Sequence, residues 1–482
     1  MIEPKVLSKI ESIVGKKNFS ATKEDKICYS YDATPLLQKY PDAVVFPEDA
    51  EQISKIMKLA NQEKFSVVPR GAGSGLSGGS IPVDDSIVLV MTRWNKILEL
   101  DESNLTITVQ PGVITELIDI EAEKIGLFYP PDPGSIKFCT IGGNVAENAG
   151  GLRGLKYGVT KNYVLGLEMI TPTGEVIYSG GKNVKDVAGY NLRDIMVGSE
   201  GTLGIFTKIL LKLIPRPTNS KTLLAFFNST IQSGEVVSEI IASKIIPSMI
   251  EFLDKTTIKC VEDYAHLGLN TNLEALLLIE VDGSKEEIDR NAELIHSICK
   301  KKNAVEILVA QTEAEALRLK TARRSAFSAL ARVKPTTILE DATVPRSKLP
   351  EMLEAIQKIV NEENILLGNF GHAGDGNLHP TCLTDERDYS EIHKAEKAFD
   401  RIFNTAIKLG GTITGEHGTG LSKSKFLEAA VGSAGLEFMK KVKSSWDPNN
   451  VLNPGKIFTL KPKCEGALPK FKNDIKEFST NL

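Results

Sequence analysis

Three glycine-rich segments crowd into the first 215 residues, and they limit what this chain can build there. They are VVPRGAGSGLSGG (67–79), PPDPGSIKFCTIGGNVAENAGG (130–151) and VGSEGTLGIFTKI (197–209). Glycine lets backbone approach a ligand closely and take positive φ. Successive free N–H groups in such loops form an anion nest. A merely flexible loop would carry the same glycines, so one segment decides little. Three in one domain point to a large ligand with both phosphates and rings. In the first segment, Gly73-x-Gly75-x-x-Gly78 matches the dinucleotide fingerprint. IPVDDSIVLVM follows it, a turn and a strand where that motif needs a helix, so the Rossmann reading is rejected. The Walker pattern also fails, because no Gly-Lys-Ser/Thr follows.

The remaining composition is that of an ordinary globular chain. With 482 residues, 41% hydrophobic and 25% charged, roughly two to four domains are expected. A net charge of -4, from 58 basic and 62 acidic residues, excludes the basic stripe of a nucleic-acid binder. No stretch reaches the ~18 apolar residues of a membrane span. The start, MIEPKVLSKIESIVGKKNF, contains acids and lacks an apolar signal core, so export is not expected. Six scattered cysteines without a C-x-x-C exclude a local iron–sulfur or zinc-finger cluster. They also fit a reducing compartment. A cytoplasmic protein is expected, reaching the membrane surface through a partner if it does so.

Three blocks can be read along the chain. Residues 1–215 combine short β-like runs (42–46, 66–69, 86–91, 105–111) with the helical pattern AEQISKIMKLANQEK (50–64). LIPRPTNSK (213–221) breaks this pattern and sets a boundary near 216. Residues 216–421 alternate strands (222–228, 248–254, 275–283) with amphipathic helices (231–245, 285–303), as in an α+β domain with an antiparallel sheet covered on one face. Residues 422–482 read as mostly helical through VLNPGK (451–456), returning to the first domain and ending in a lysine-bearing tail (456–482). No internal repeat is present.

The six histidines all lie beyond residue 265. GHAGDGNLHP places His372 and His379 around a Gly-Asp-Gly turn that can bring both imidazoles together. GEHG adds Glu416, with His417 beside it. Two imidazoles and a carboxylate suit Zn²⁺ or a similar first-row divalent ion. A hydrogen-bonded core cluster is the alternative. TARRSAF (321–327) offers Arg323 and Arg324 on a helix, and an arginine fork suits a carboxylate. A solvated helix face is the usual fate of such a pair.

PRGAGSGLSGG, QPGV (110–113), PPDPGS with TIGGNVAENAGG, and GSEGTLGI occur together in this order. In combination they resemble the FAD domain of the vanillyl-alcohol-oxidase/p-cresol-methylhydroxylase flavoproteins. The resemblance covers most of residues 40–215. It implies FAD held between two α+β subdomains, a p-cresol-methylhydroxylase-type fold. The candidate cofactor contacts are Arg70, Gly71, Ala72, Gly73, Ser74, Gly75, Asp132, Ser135, Gly142, Gly143, Asn148, Gly150, Glu200, Gly204 and Ile205. Some relatives tether the flavin through histidine. This domain has none, so non-covalent FAD is expected.

GHAGDGNLHP, TGEHGTG (414–420) and WDPNNVLNPGK (446–456) are similar to the C-terminal domain of FAD-dependent 2-hydroxy-acid dehydrogenases. The likeness is to the flavin-bearing subunit of glycolate oxidase and to D-lactate dehydrogenases. It implies a metal, probed as zinc first, on His372, His379 and Glu416, with His417 as general base. It also implies Asn377 and Arg323 at the substrate and Asn453 near the flavin. D-2-hydroxyglutarate enzymes carry Asn two positions after the second metal histidine, where Thr381 stands here. They also carry a lysine before the stretch matching ILEDATVP (338–345), which offers none. A small monocarboxylate, glycolate or D-lactate, is therefore expected over a dicarboxylate. The alternatives are a D-2-hydroxyglutarate-type dehydrogenase and a non-catalytic FAD-binding assembly subunit. No haem or iron–sulfur motif is present. The acceptor is then O₂, a quinone, a cytochrome, or a separate iron–sulfur protein or electron-transfer flavoprotein, and the resemblance implies partner proteins.

Overall fold

The computed structural model describes residues 1–458, so most of the lysine-bearing tail lies outside the described residues. Two main sheets organise the first domain, with a two-stranded pair, Leu127–Phe128 and Ile214–Pro215, besides them. One has four strands in the order Phe19–Ser20, Ala43–Val45, Ser86–Val90, Ser66–Arg70, and its last three strands are parallel. The helix Ala50–Glu63 provides the crossover between two of them. Asp49 caps its start, its side chain accepting the Gln52 N–H at 2.8 Å. The helix buries Ile53, Ile56, Met57 and Ala60 against Val45, Val67 and Leu89.

The second sheet has five antiparallel strands in the order Ile97–Asp101, Thr106–Val109, Ile205–Lys212, Val164–Ile170, Val176–Gly180. Its core is separate, built from residues such as Val109, Ile141, Leu167 and Ile209.

From Asn219 onward an antiparallel sheet carries the other half of the molecule. Its order is Glu306–Val309, Asn219–Phe227, Ala275–Gly283, Met249–Asp254, Leu367–His372, Asn377–Thr384, Thr336–Leu339, with Ala342–Thr343 also paired to Asn377–Thr384. Both faces of this sheet are covered, not one as the sequence suggested. Leu277 and Ile279 pack with the helices Thr230–Ala242, Lys285–Lys301, Leu349–Glu363 and Tyr389–Lys408. Leu276 and Leu278 face the opposite way, toward Lys255–Ala265 and Ala326–Leu330. The uninterrupted apolar run ALLLI (275–279) is the sequence mark of a strand buried on both sides.

The helix Leu427–Trp446 then leads back to the first domain. Helix was expected through 456, but it stops at Trp446. Asp447 accepts the Val451 and Leu452 N–H groups, and Asn450 and Asn453 take positive φ. Residues 451–453 instead run beside Val67: Val67 N–H donates to Val451 O and Asn453 N–H to Val67 O, both at 2.8 Å.

Candidate active site

The strands Leu367–His372 and Asn377–Thr384 form a hairpin whose turn is Ala-Gly-Asp-Gly, with Gly376 at φ +84°. Its register pairs Phe370 with His379 and His372 with Asn377. Directly paired residues share a face, so His372 and His379 are diagonal neighbours on the same side. Their ring centroids stand 5.0 Å apart. The TGEHGTG loop brings Glu416 to them. Its Oε1 is 3.3 Å from His372 Nε2 and 3.2 Å from His379 Nε2. One ligand atom from each of the three lies within 4.8 Å of the others.

Charged groups behind the cluster orient it. Glu251, directly opposite His372 across the ladder, sits 2.8 Å from His372 Nδ1 and leaves Nε2 for the cluster. Arg323 Nη2 lies 2.5 Å from Glu251, and all three side chains are buried. Burial opposes charge on His372, but Glu251 and Glu416 hold it well above the usual imidazole range. Burial drives His379 the other way, down to about 4. His417 stacks on His379 with centroids 5.2 Å apart. Asp341 accepts the N–H groups of Gly415 and Glu416 at 2.7 and 2.9 Å, pairs with buried Lys423, and faces His417 Nδ1 at 3.3 Å. Burial works against ionised Asp341, but His417 and Lys423 hold its carboxyl well below the usual range.

This cluster lines a cavity of about 420 Å³ together with residues of the three glycine-rich loops. Arg70, Gly71, Ala72, Gly73, Ser74, Gly75, Ser135, Gly142, Gly143, Glu200, Gly204 and Ile205 line it. So do Arg323, Arg324, His372, His379, Glu416 and His417. Gly73 has φ +72°, and a side chain there would collide with the Arg70 guanidinium. Open space lies beside Gly75 and Gly134. In the same wall, Thr140 Oγ1, Arg323 Nε and Arg324 Nη1 are shut from solvent without a hydrogen-bond partner. Such orphaned groups beside open glycine backbone fit a large cofactor with phosphates and polar ring edges.

Five expected contacts stand behind the wall. Asp132 is taken by Arg324 at 2.5 Å and Arg153 at 3.5 Å. Asn148 ends the helix Ile141–Glu147 in a left-handed turn, and its Oδ1 accepts the Lys161 N–H at 2.9 Å. Gly150 packs against Glu416, where a Cβ would stand 2.9 Å from Oε2. Asn453 donates to Gly79 O and Glu200 O at 2.9 and 2.8 Å, tying two cofactor loops together. Asn377 meets Thr343 Oγ1 at 3.0 Å. Glu200 does line the cavity, but its carboxylate accepts the Thr419 and Gly420 N–H groups. Glu251, Asp341, Lys423 and Glu147 were missed by sequence reading. A lone acid inside the apolar strand MIEFLD was the available signal for Glu251.

The fold and this cavity define the class: an FAD-binding oxidoreductase with a two-subdomain cofactor domain. Residues 216–457 match the family described as FAD linked oxidases, C-terminal domain, and residues 41–180 match the FAD binding domain family. Over 458 residues the chain is 52% identical to glycolate oxidase subunit GlcD of Bacillus subtilis (strain 168), covering 95% of this chain and 97% of that protein. It is 34% identical to a D-lactate dehydrogenase of Anaerostipes hadrus, covering 95% and 98%. Substrate-bound p-cresol methylhydroxylase shares the fold with a TM-score of 0.77 at 16% identity, over 94% of this chain and 96% of that one. The chain therefore belongs to the FAD-linked oxidases.

Proposed function

We propose that this enzyme oxidises a small 2-hydroxy monocarboxylate, glycolate or D-lactate, to the 2-oxo acid. The observation that carries the reading is the meeting of His372, His379 and Glu416 in the cavity lined by the glycine loops. His372 Nε2, His379 Nε2 and a Glu416 oxygen are the donor set for a divalent ion such as zinc. When bound there, FAD supplies a two-electron acceptor and the ion a Lewis acid. Arg323, with Arg324 beside it, supplies the charge that holds the substrate carboxylate. Among the described residues the Lys and Arg side chains lining the cavity are all arginines: Arg70, Arg323 and Arg324. Thr381, where the dicarboxylate enzymes have Asn, is buried and turns its hydroxyl to the His379 carbonyl at 3.0 Å.

His417 is the base. Asp341 faces its Nδ1, which leaves Nε2, 3.8 Å from Glu416, turned toward the cluster. Nε2 accepts the hydroxyl proton as the substrate is oxidised. The electrons then leave for a separate acceptor: an iron–sulfur protein, an electron-transfer flavoprotein, a cytochrome or a quinone. The name of the Bacillus relative, a glycolate oxidase subunit, supports such a partner. No described helix is long and apolar enough to cross a membrane; the reading places the protein in the cytoplasm, at the membrane surface through a partner if it reaches it. The test is anaerobic bleaching of the flavin spectrum by glycolate or D-lactate, with and without chelator. Bleaching by neither acid overturns the proposal. Acid precipitation checks non-covalent binding: the flavin should stay in the supernatant.

A further inference from the structure

We propose that Glu147 stands in the cavity wall as a neutral carboxylic acid and donates a hydrogen bond to the polar edge of the bound flavin ring. This contact makes the flavin easier to reduce. The inference rests on FAD binding and on the reading of the His372–His379–Glu416 cluster as the reacting centre, not on the choice of 2-hydroxy acid.

Glu147 closes the helix Ile141–Glu147 and lines the cavity. Its Oε2 is shut from solvent, and no hydrogen-bond donor reaches it. Two glycines make room for the carboxyl: a Cβ on Gly79 would stand 2.9 Å from Oε1, and one on Gly418 would collide with Oε2. Gly418 also faces Glu200, whose Oε1 would lie 3.1 Å from that Cβ. Glu200 makes no hydrogen bond to Glu147; its oxygens accept the Thr419 and Gly420 N–H groups at 2.7 and 2.6 Å.

The charged groups that act most strongly on Glu147 are Glu200, Asp32, Asp341 and Lys423. Lys423 is already committed to Asp341 and Glu340. An ionised Glu147 would thus feel acidic neighbours and find no donor, which desolvation and like charge both oppose; burial pushes the neighbouring Glu200 carboxyl up as well, to about 7. Burial first and Glu200 second push its carboxyl well above the usual range. The resulting O–H needs an acceptor, and the cavity is where one can stand. Gly418 comes two residues after Glu416, so Glu147 marks the cluster end of the cavity, where the reacting ring must lie. A hydrogen bond given to that ring strengthens as the ring gains negative charge on reduction. The proton stays on Glu147 throughout.

The test measures the flavin midpoint potential in the holoenzyme by equilibration with a reference dye, without substrate. Glu147→Gln keeps an N–H donor, while Glu147→Val keeps bulk without one. Expected is a potential near wild type for Gln and a lower one for Val. The drop should match about a tenfold loss in the reduced-to-oxidised ratio. Full flavin content is expected in both. Infrared difference spectra should show a protonated-carboxyl carbonyl band that moves on reduction in wild type and is missing in Gln. An unchanged potential in flavin-loaded Val overturns the proposal, as does a wild-type spectrum without that band. The Gln spectrum decides the matter even where Val fails to fold. Neither readout involves a 2-hydroxy acid, so a wrong substrate leaves both intact.

Discussion

His417 Nδ1 and Asp341 Oδ1 stand 3.3 Å apart, and the Asp341 carboxylate is itself fixed by Lys423 and by backbone N–H groups of the loop carrying His417. One buried acid thus shapes the loop and faces the ring it presents. His417→Ala should keep its flavin and slow flavin reduction by about 10²- to 10⁴-fold, the usual share of a positioned base. Asp341→Asn should cost less but act in the same step. Unchanged single-turnover reduction in His417→Ala rules that histidine out as base.

Metal uptake should be coupled to protons. Glu251 and Glu416 raise His372 above the ordinary imidazole range, so an ion binding its Nε2 must displace a proton. Affinity should therefore rise with pH. Titration calorimetry in buffers of different ionisation enthalpy reads the released proton directly. Uptake with no proton release contradicts this coupling. His379→Ala should lose the ion and keep the flavin.

Arg323 has two duties, holding Glu251 and facing the cavity. Arg323→Lys keeps the charge but loses the fork. We expect a KM for the 2-hydroxy acid raised about tenfold, with flavin content unchanged. A normal KM would shift the carboxylate assignment to Arg324.

Asp254 offers a stability titration away from the cluster. It caps the helix Lys255–Ala265, accepting the Thr257 and Asn369 N–H groups at 2.8 and 2.9 Å. Burial nevertheless pushes its carboxyl from 3.8 up to about 6. The folded state then holds this proton more tightly than the unfolded chain. Its contribution is complete below the unfolded value and falls as pH rises toward 6. Thermal unfolding of wild type relative to Asp254→Asn should show that decline between about pH 4 and about pH 6. A flat difference sinks the assignment.

Much of the site was legible because it is local. Positive-φ glycines, the Gly-Asp-Gly turn between His372 and His379, and the adjacency of Glu416 and His417 are short-range facts. The family motifs are written in the same short segments. What stayed hidden comes from far along the chain: Glu251 reaches His372 across 121 residues and Asp341 reaches the Glu416–His417 loop across 75 and 76. An acid in an apolar strand looks alike whether it orients a histidine or merely fills a buried pair.

The sequence by itself determined which backbone could bend around a cofactor and which side chains could bind a metal or move a proton, because both follow from residue type and near neighbours. Tertiary structure alone decided which of them face the cavity. Asp132, Asn148, Gly150, Asn377 and Asn453 were drawn behind its wall by neighbours that only strand register and loop packing could supply. The same packing set Glu147 beside Glu200 with no donor, since desolvation depends on what surrounds a group and not on its place in the chain.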